Sequence, residues 1–441
     1  MMSFLRGRTD GVEQFRYMHD RLWCEGTDLE ECAGRFGTPL YVYSRQSVID
    51  HCRWIESAFG NEDHLSCYAL KANSNPSILR ILAGERIGAD VGSAGELGLA
   101  LDAGFPAGQI TFSGVGKRDD EIAGAIRQDL LSINAESDEE LKVISHIAQE
   151  LHKRARVSVR VNFDIQSDTH PYITTGRKHN KFGVESSRAE EVFREASTLP
   201  GVELLGVHSH IGSQITSSET FAAAARAIVE LTDRLRRHGI NLSLLNFGGG
   251  FGVRYRDYVA HPRLPVEAEN PESNLTTVSM LKEILPILRS ARCKILIQPG
   301  RSMVAHAGIL ITKVLYKKRS GGKTFIIVDA GMNDLIRPSL YQSYHQIVPL
   351  NVGHADGDRH EVVDVVGPLC ETGDFFALDR TMPAVERGEY LAVLCTGAYG
   401  YVLSSNYNGR PKPAEVLVDA DRSELIADRE PVEKLFVKRI V

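Results

Sequence analysis

A (β/α)8 barrel followed by an all-β domain, α/β plus all-β in one chain, is the fold class this sequence predicts. Three observations predict it. Eight short β-rich runs alternate with longer helical stretches between residues 64 and 298, and no tight hairpin signal separates them. After residue 302 the helical stretches stop and β-like runs follow one another directly. A doubly wound open sheet shares the local alternation; the count of eight favours the barrel.

The barrel strands are read at His64–Leu70, Ile87–Val91, Gln109–Ser113, Leu130–Asn134, Val157–Asn162, Val202–Ser209, Leu242–Phe247 and Lys294–Ile297. Between them, Pro76 opens a helix, Ser137-Asp138-Glu139-Glu140 reads as a capping box, and Ser217–Arg237 is a long amphipathic run. Further β runs are expected at Val304–Leu315, Thr324–Val328, Gln346–Val352, Glu361–Val366, Tyr390–Leu394, Gly400–Leu403 and Ala414–Val418. The expected organisation is an N-terminal segment over 1–35 packing on the β domain, a barrel over 36–302, and a β domain of sandwich or Greek-key type over 303–441.

Composition narrows the function classes. Of 441 residues, 43% are hydrophobic, enough for sizeable cores, and 51 basic against 57 acidic residues give a net charge of −6. A mildly acidic chain without basic runs is a poor partner for nucleic acid or an anionic membrane. No run approaches 18 apolar residues, and the opening Met-Met-Ser-Phe-Leu-Arg-Gly-Arg lacks the apolar core of a secretory signal. Seven cysteines, odd in number and without metal-ligand spacing, read as reduced thiols. A cytoplasmic enzyme is the expectation.

In a barrel, chemistry sits at the C-terminal strand ends. The first strand runs into Lys71, where partial desolvation frees an amine for Schiff-base chemistry, although a snorkelling lysine has the same local sequence. The second ends at Asp90 and Glu96; these are carboxylates for the mouth, or a turn former and a first-turn helix residue. The fifth ends at Arg160-Val161-Asn162, and the sixth carries His208 and His210 on one face, a conceivable metal pair but a weak case without a nearby third ligand. The seventh runs into Gly248-Gly249-Gly250 and the eighth into Gln298-Pro299-Gly300-Arg301. Glycine turns in this place, one followed by arginine, fit a phosphate site. A phosphate-bearing cofactor condensed with a lysine points to pyridoxal 5′-phosphate; a Schiff-base aldolase acting on a sugar phosphate uses the same parts.

Longer motifs extend the pattern: Tyr68-Ala-Leu-Lys71-Ala-Asn, His208-Ser-His-Ile-Gly-Ser-Gln214, Thr169-His-Pro-Tyr-Ile173 with Asn180-Lys-Phe-Gly183, Asp329-Ala-Gly-Met-Asn-Asp-Leu-Ile-Arg-Pro338, Gly367-Pro-Leu-Cys-Glu-Thr-Gly-Asp374, Gly397-Ala-Tyr-Gly400, and Ser404-Ser-Asn-Tyr-Asn408 with Arg410-Pro-Lys-Pro-Ala-Glu415. Over nearly its whole length the chain resembles the fold-type III pyridoxal-phosphate-dependent decarboxylases, in particular their diaminopimelate branch.

The resemblance implies roles. Lys71 would hold the cofactor covalently, and His210 would stack on its ring. Ser213, Gly248, Gly249, Gly250, Gly300 and Tyr399 would hold its phosphate, with Arg301 meeting both phosphate and substrate. Arg337, Tyr341, Glu371 and Tyr399 would contact substrate, a guanidinium suiting a carboxylate and a glutamate an ammonium. Cys370 would protonate the reacting carbon from across a homodimer interface, making the sites composite. The implied reaction converts meso-2,6-diaminopimelate to L-lysine and CO2, the last step of lysine biosynthesis. A sister decarboxylase for ornithine, arginine or another amino acid, and a non-catalytic regulatory homologue, are the alternatives. One departure stands out: the resemblance calls for glutamate at Gln298, beside the cofactor's ring nitrogen, and an amide supplies no charge there. Asp90 is the carboxylate expected to compensate.

Overall fold

The computed structural model describes residues 14–165, 181–256, 258–265, 276–353 and 359–436. Thr169–Ile173, Asn180 and the first thirteen residues of the N-terminal segment lie outside them. The chain divides into two compact units, one of residues 51–253 and 272–303, the other of 1–50, 254–271 and 304–441.

The first unit is the barrel. Its strands are β1 (His64–Ala69), β2 (Gly88–Val91), β3 (Ile110–Phe112), β4 (Ser132–Ala135), β5 (Ala155–Asn162), β6 (Val202–His208), β7 (Leu244–Gly248) and β8 (Lys294–Ile297). Each pairs in parallel with the next, and β8 pairs with β1, closing the ring. Both faces of these strands are buried, the interior by strand side chains and the exterior by helices, which is why they read as near-continuous apolar runs. A two-residue strand, Val184–Glu185, adds to β5.

The helices between strands are α1 (Pro76–Gly84), α2 (Ala94–Ala103), α3 (Asp119–Arg127), α4 (Asp138–Glu150), α5 (Ala189–Thr198), α6 (Ser218–Arg237) and α7 (Thr277–Leu288). Their starts follow capping chemistry. Asn75 Oδ1 accepts from Ser77 N–H, with Pro76 at the first helical position. Ser217 caps α6. The capping box at Ser137 forms only in part: Ser137 Oγ accepts from Glu140 N–H, but Glu140 Oε2 takes the amide of Glu136, not that of Ser137, at 2.7 Å. Glu96 does the same at α2, taking the Gly92 amide while Ser93 caps the helix. In both places the reaching carboxylate satisfies the amide one residue earlier, where the strand has just ended.

The second unit is a mixed β domain. It contains β9 (Gly308–Ser320), β10 (Lys323–Val328), β11 (Ile347–Pro349), β12 (His360–Val366), β13 (Phe375–Pro383), β14 (Tyr390–Val393), β15 (Ala414–Asp419) and β16 (Arg422–Ala427). The sheet runs β13-β12-β10-β9, then a strand Leu40–Ser44, then β15-β16, with β14 bridging β9 and β11. Leu40–Ser44 thus belongs to this sheet, antiparallel to β9 and parallel to β15, although it falls within the span expected to be barrel. Every residue of that strand is buried, and nothing local in a short apolar run names its neighbour. The run Gly400–Leu403 is corrected as well. Tyr399 has φ +57° and Tyr401–Leu403 forms a 3-10 turn, so the chain cannot stay extended there. Ahead of Leu40, strands Phe15–Met18, Arg21–Cys24 and Thr27–Asp28 form a small antiparallel sheet. The amide of Leu22 donates to Leu350 O and that of Gly26 to Ala420 O, both in the β domain.

Candidate active site

Lys71 lies in a 3-10 turn, Leu70–Ala72, directly after β1. Tyr68 Oη donates to Asn73 O at 2.9 Å and closes the turn. Leu70 and Ala72 are buried while Lys71 is exposed, so the turn packs its two flanking residues and leaves the lysine outside the packing. The Lys71 charge acts favourably on the carboxylates of Asp90 and Glu96, placing all three groups at one mouth.

Asp90, next to the last residue of β2, lies in a dense polar cluster. Its Oδ1 accepts from Ser113 Oγ at 2.5 Å, Thr111 Oγ1 at 2.9 Å and Gln298 Nε2 at 2.8 Å. Burial pushes its pKa up, and the Lys71 charge and the Ser113 and Thr111 hydroxyls oppose that shift. The same Oδ1 therefore ties the ends of β2, β3 and β8 together. Thr111 and Ser113 were missed as site residues, since a hydroxyl on, or directly after, a three-residue strand carries no sequence signal of its own.

This pairing sets the expected outcome for the Gln298 departure. A carboxylate introduced by Gln298→Glu would meet the Asp90 carboxylate where the amide now donates at 2.8 Å. Two buried like charges in contact cannot both ionise freely, a conflict of roughly 1–4 kcal/mol. Gln298→Glu alone should lower the melting temperature, and adding Asp90→Asn should restore it, since the pair again holds one carboxylate and one amide. Thermal melts of the two single variants and the double variant check this; additive losses would contradict it.

His208 ends β6 and is buried, with the Gln298 side chain among its polar neighbours. His210 Nδ1 accepts from Gly249 N–H at 3.2 Å, which places the proton of the neutral ring on Nε2. Desolvation first, and then neighbouring cations, Arg160 and Lys71 among them, hold both imidazoles well below their usual pKa. Both are neutral rings at pH 7.

The glycine turns are built by close backbone approach. A Cβ on Gly248 would stand 2.1 Å from Ser209 O, and one on Gly250 2.4 Å from Gly212 O; both residues also have positive φ. The amide of Gly248 donates to Asn246 Oδ1 and that of Gly249 to His210, so those two are committed inside the protein. Arg301 is buried and donates from Nη2 to Ser213 Oγ at 2.9 Å. Arg160, at the end of β5, forms a buried ion pair with Glu136 at 2.7 Å, its guanidinium 4.6 Å from the Phe182 ring. Glu136 Oε2 also accepts from Gly183 N–H. The barrel mouth thus gathers an amine, an anchored guanidinium, a hydroxyl, neutral imidazoles and glycine turns, a donor set that fits an aromatic aldehyde bearing a phosphate.

The β domain carries the other sequence-predicted residues. Arg337 begins a short helix, Arg337–Tyr341, and is buried, its guanidinium 4.6 Å from the Tyr255 ring. His345 Nδ1 faces Leu394 O at 2.7 Å and must donate, which leaves Nε2 to accept from Arg337 Nη1 at 2.7 Å. Arg337 is therefore not a surface charge. Cys370 and Glu371 are exposed on the loop between β12 and β13, so the thiol is not a buried packing group. Tyr341 and Tyr399 are half-buried.

Comparison with known proteins follows this division. Residues 45–305 match the family model of the pyridoxal binding domain of pyridoxal-dependent decarboxylases. The chain is 45% identical to a diaminopimelate decarboxylase of Aquifex aeolicus over 94% of both chains. It is 43% identical to that of Pseudomonas aeruginosa over 96% of this chain and 98% of the relative. Among solved structures, diaminopimelate decarboxylase from M. jannaschii in complex with L-lysine superposes with a TM-score of 0.89 at 34% identity, covering 97% of this chain and 98% of that one. The Helicobacter pylori enzyme complexed with L-lysine gives 0.85 at 40% identity, covering 93% and 98%.

Proposed function

Because the chain belongs to the pyridoxal-dependent decarboxylases, and among them to the diaminopimelate decarboxylase family, we propose that it converts meso-2,6-diaminopimelate to L-lysine and CO2. The observation that carries the proposal is similarity over 94% of both chains to an enzyme of that name. Pyridoxal phosphate supplies an electron sink for the bond between Cα and its carboxylate. Lys71 is proposed to hold the cofactor, and Ser213, Gly250, Gly300, Arg301 and Tyr399 its phosphate, the Gly248 and Gly249 amides being occupied. Neutral His210 offers a ring face, and Gln298, backed by Asp90, an amide edge.

Arg337 and Arg301 would bind substrate carboxylates, Glu371 the distal ammonium, and Tyr341 and Tyr399 would complete the contacts. The Cys370 thiol would supply the proton that replaces the departing CO2 at Cα. An exposed thiol on a loop suits a group that acts across an assembly interface, and a homodimer with composite sites belongs to the proposal. Mixing inactive Lys71→Ala and Cys370→Ala chains should regenerate activity in heterodimers; an active monomer by light scattering would contradict it.

Substrate choice is tested by ranking kcat/KM for meso-diaminopimelate, ornithine and arginine, with the first expected highest. Among the described residues no helix is long and apolar enough to cross a membrane.

A further inference from the structure

Two loops of the β domain carry the proposed substrate contacts: Asp329–Tyr341, with Arg337 and Tyr341, and Gly367–Asp374, with Cys370 and Glu371. Asp374 is buried between them, and its carboxylate is shared. Oδ1 accepts from Met332 N–H of the first loop at 2.6 Å, and Oδ2 from Leu369 N–H of the second at 2.7 Å. Its own carbonyl accepts from Gly367 N–H at 3.1 Å. Ser339 Oγ adds a second stitch to Gly373 O at 2.5 Å.

The glycines on either side make room for this carboxylate. A Cβ on Gly367 would lie 2.4 Å from both Asp374 oxygens; one on Gly331 would meet Asn333 Oδ1 at 2.7 Å first and Asp374 Oδ1 at 3.2 Å. At 2.4 Å the added methyl of Gly367 forces the pinned carboxylate out of its place. Neither glycine has a positive φ, so close approach, not backbone conformation, is what calls for glycine here.

We infer that Asp374 is a positioning residue that sets the spacing between the Cys370–Glu371 loop and the Arg337 helix. The inference rests on the substrate reading proposed above. Hydrogen bonds from backbone amides to an ionised acceptor are the strong kind, and each amide left without one is poorly satisfied. In Asp374→Asn the amide group can serve only one of the two N–H donors. Gly367→Ala keeps the carboxylate and displaces it, so a loss shared by both variants belongs to the clamp and not to the charge alone.

The test uses the pyridoxal-phosphate-loaded enzyme and these two variants. Hydrogen exchange at the Met332 and Leu369 amides should quicken together by about tenfold or more, as befits loss of a charge-assisted bond. KM for meso-diaminopimelate should rise by about tenfold, with kcat less affected and cofactor absorbance and content unchanged. Unchanged exchange at either amide, an unchanged KM, or loss of cofactor in parallel would overturn the inference. The exchange arm needs no substrate, so a wild-type chain inactive on meso-diaminopimelate would sink the functional reading and not be mistaken for failure of the clamp.

Discussion

Lys71→Ala is expected to lower turnover by roughly 10³-fold or more, the scale of loss when a covalent catalytic group is removed. Lys71 is an exposed residue in a 3-10 turn whose neighbouring residues are buried, so shortening it takes no apolar packing from the barrel core. The variant should fold, melt near the wild-type temperature and still bind pyridoxal phosphate non-covalently through the glycine turns and Arg301. Borohydride treatment of the wild type should fix the cofactor to the peptide that contains Lys71. Label on another lysine, or a variant that keeps turnover, would overturn the assignment.

The second large effect is one of stability. Arg160 and Glu136 are both buried, 2.7 Å apart, and bridge the ends of β4 and β5. Removing one partner strands the other charge in the interior, at a cost of about 3–5 kcal/mol. Glu136→Ala also takes the acceptor from the Gly183 amide. It should therefore be the more damaging single change, lowering the denaturant midpoint more than Arg160→Met. Removing both partners should cost less than the sum of the two losses, because no unpaired charge remains. Urea unfolding of the three variants decides this. An additive double variant would show that the pair does not act as a unit.

Much of the barrel was legible in the sequence because its strands are buried on both faces and five of the seven helices named above begin with side-chain caps. Gly88–Val91, Val202–His208 and Lys294–Ile297 lie within a residue of where periodicity and turn residues put them. The β domain was less so. Phe375–Pro383 and Arg422–Ala427 were missed: in both, exposed and buried residues fail to alternate cleanly, and β12 and β15 meet them through register shifts. Leu40–Ser44 was assigned to the wrong unit, since strand pairing across more than 260 residues leaves no local trace.

The candidate site divides the same way. Lys71, Asp90, His210, Gln298 and Arg301 stood out because strand ends in a barrel are privileged positions. Their partners did not. Thr111, Ser113, Glu136, His345 and Asp374 matter through single hydrogen bonds that only the folded chain brings together. Nor could spacing reveal that the Gly248 and Gly249 amides are already engaged.

The most direct test of the central claim is a product balance on the purified chain loaded with pyridoxal phosphate and given meso-2,6-diaminopimelate. Released CO2 and L-lysine should appear in a one-to-one ratio, and Lys71→Ala should abolish both. A loaded, folded enzyme that releases no lysine from this substrate, or releases CO2 faster from ornithine or arginine, would contradict it.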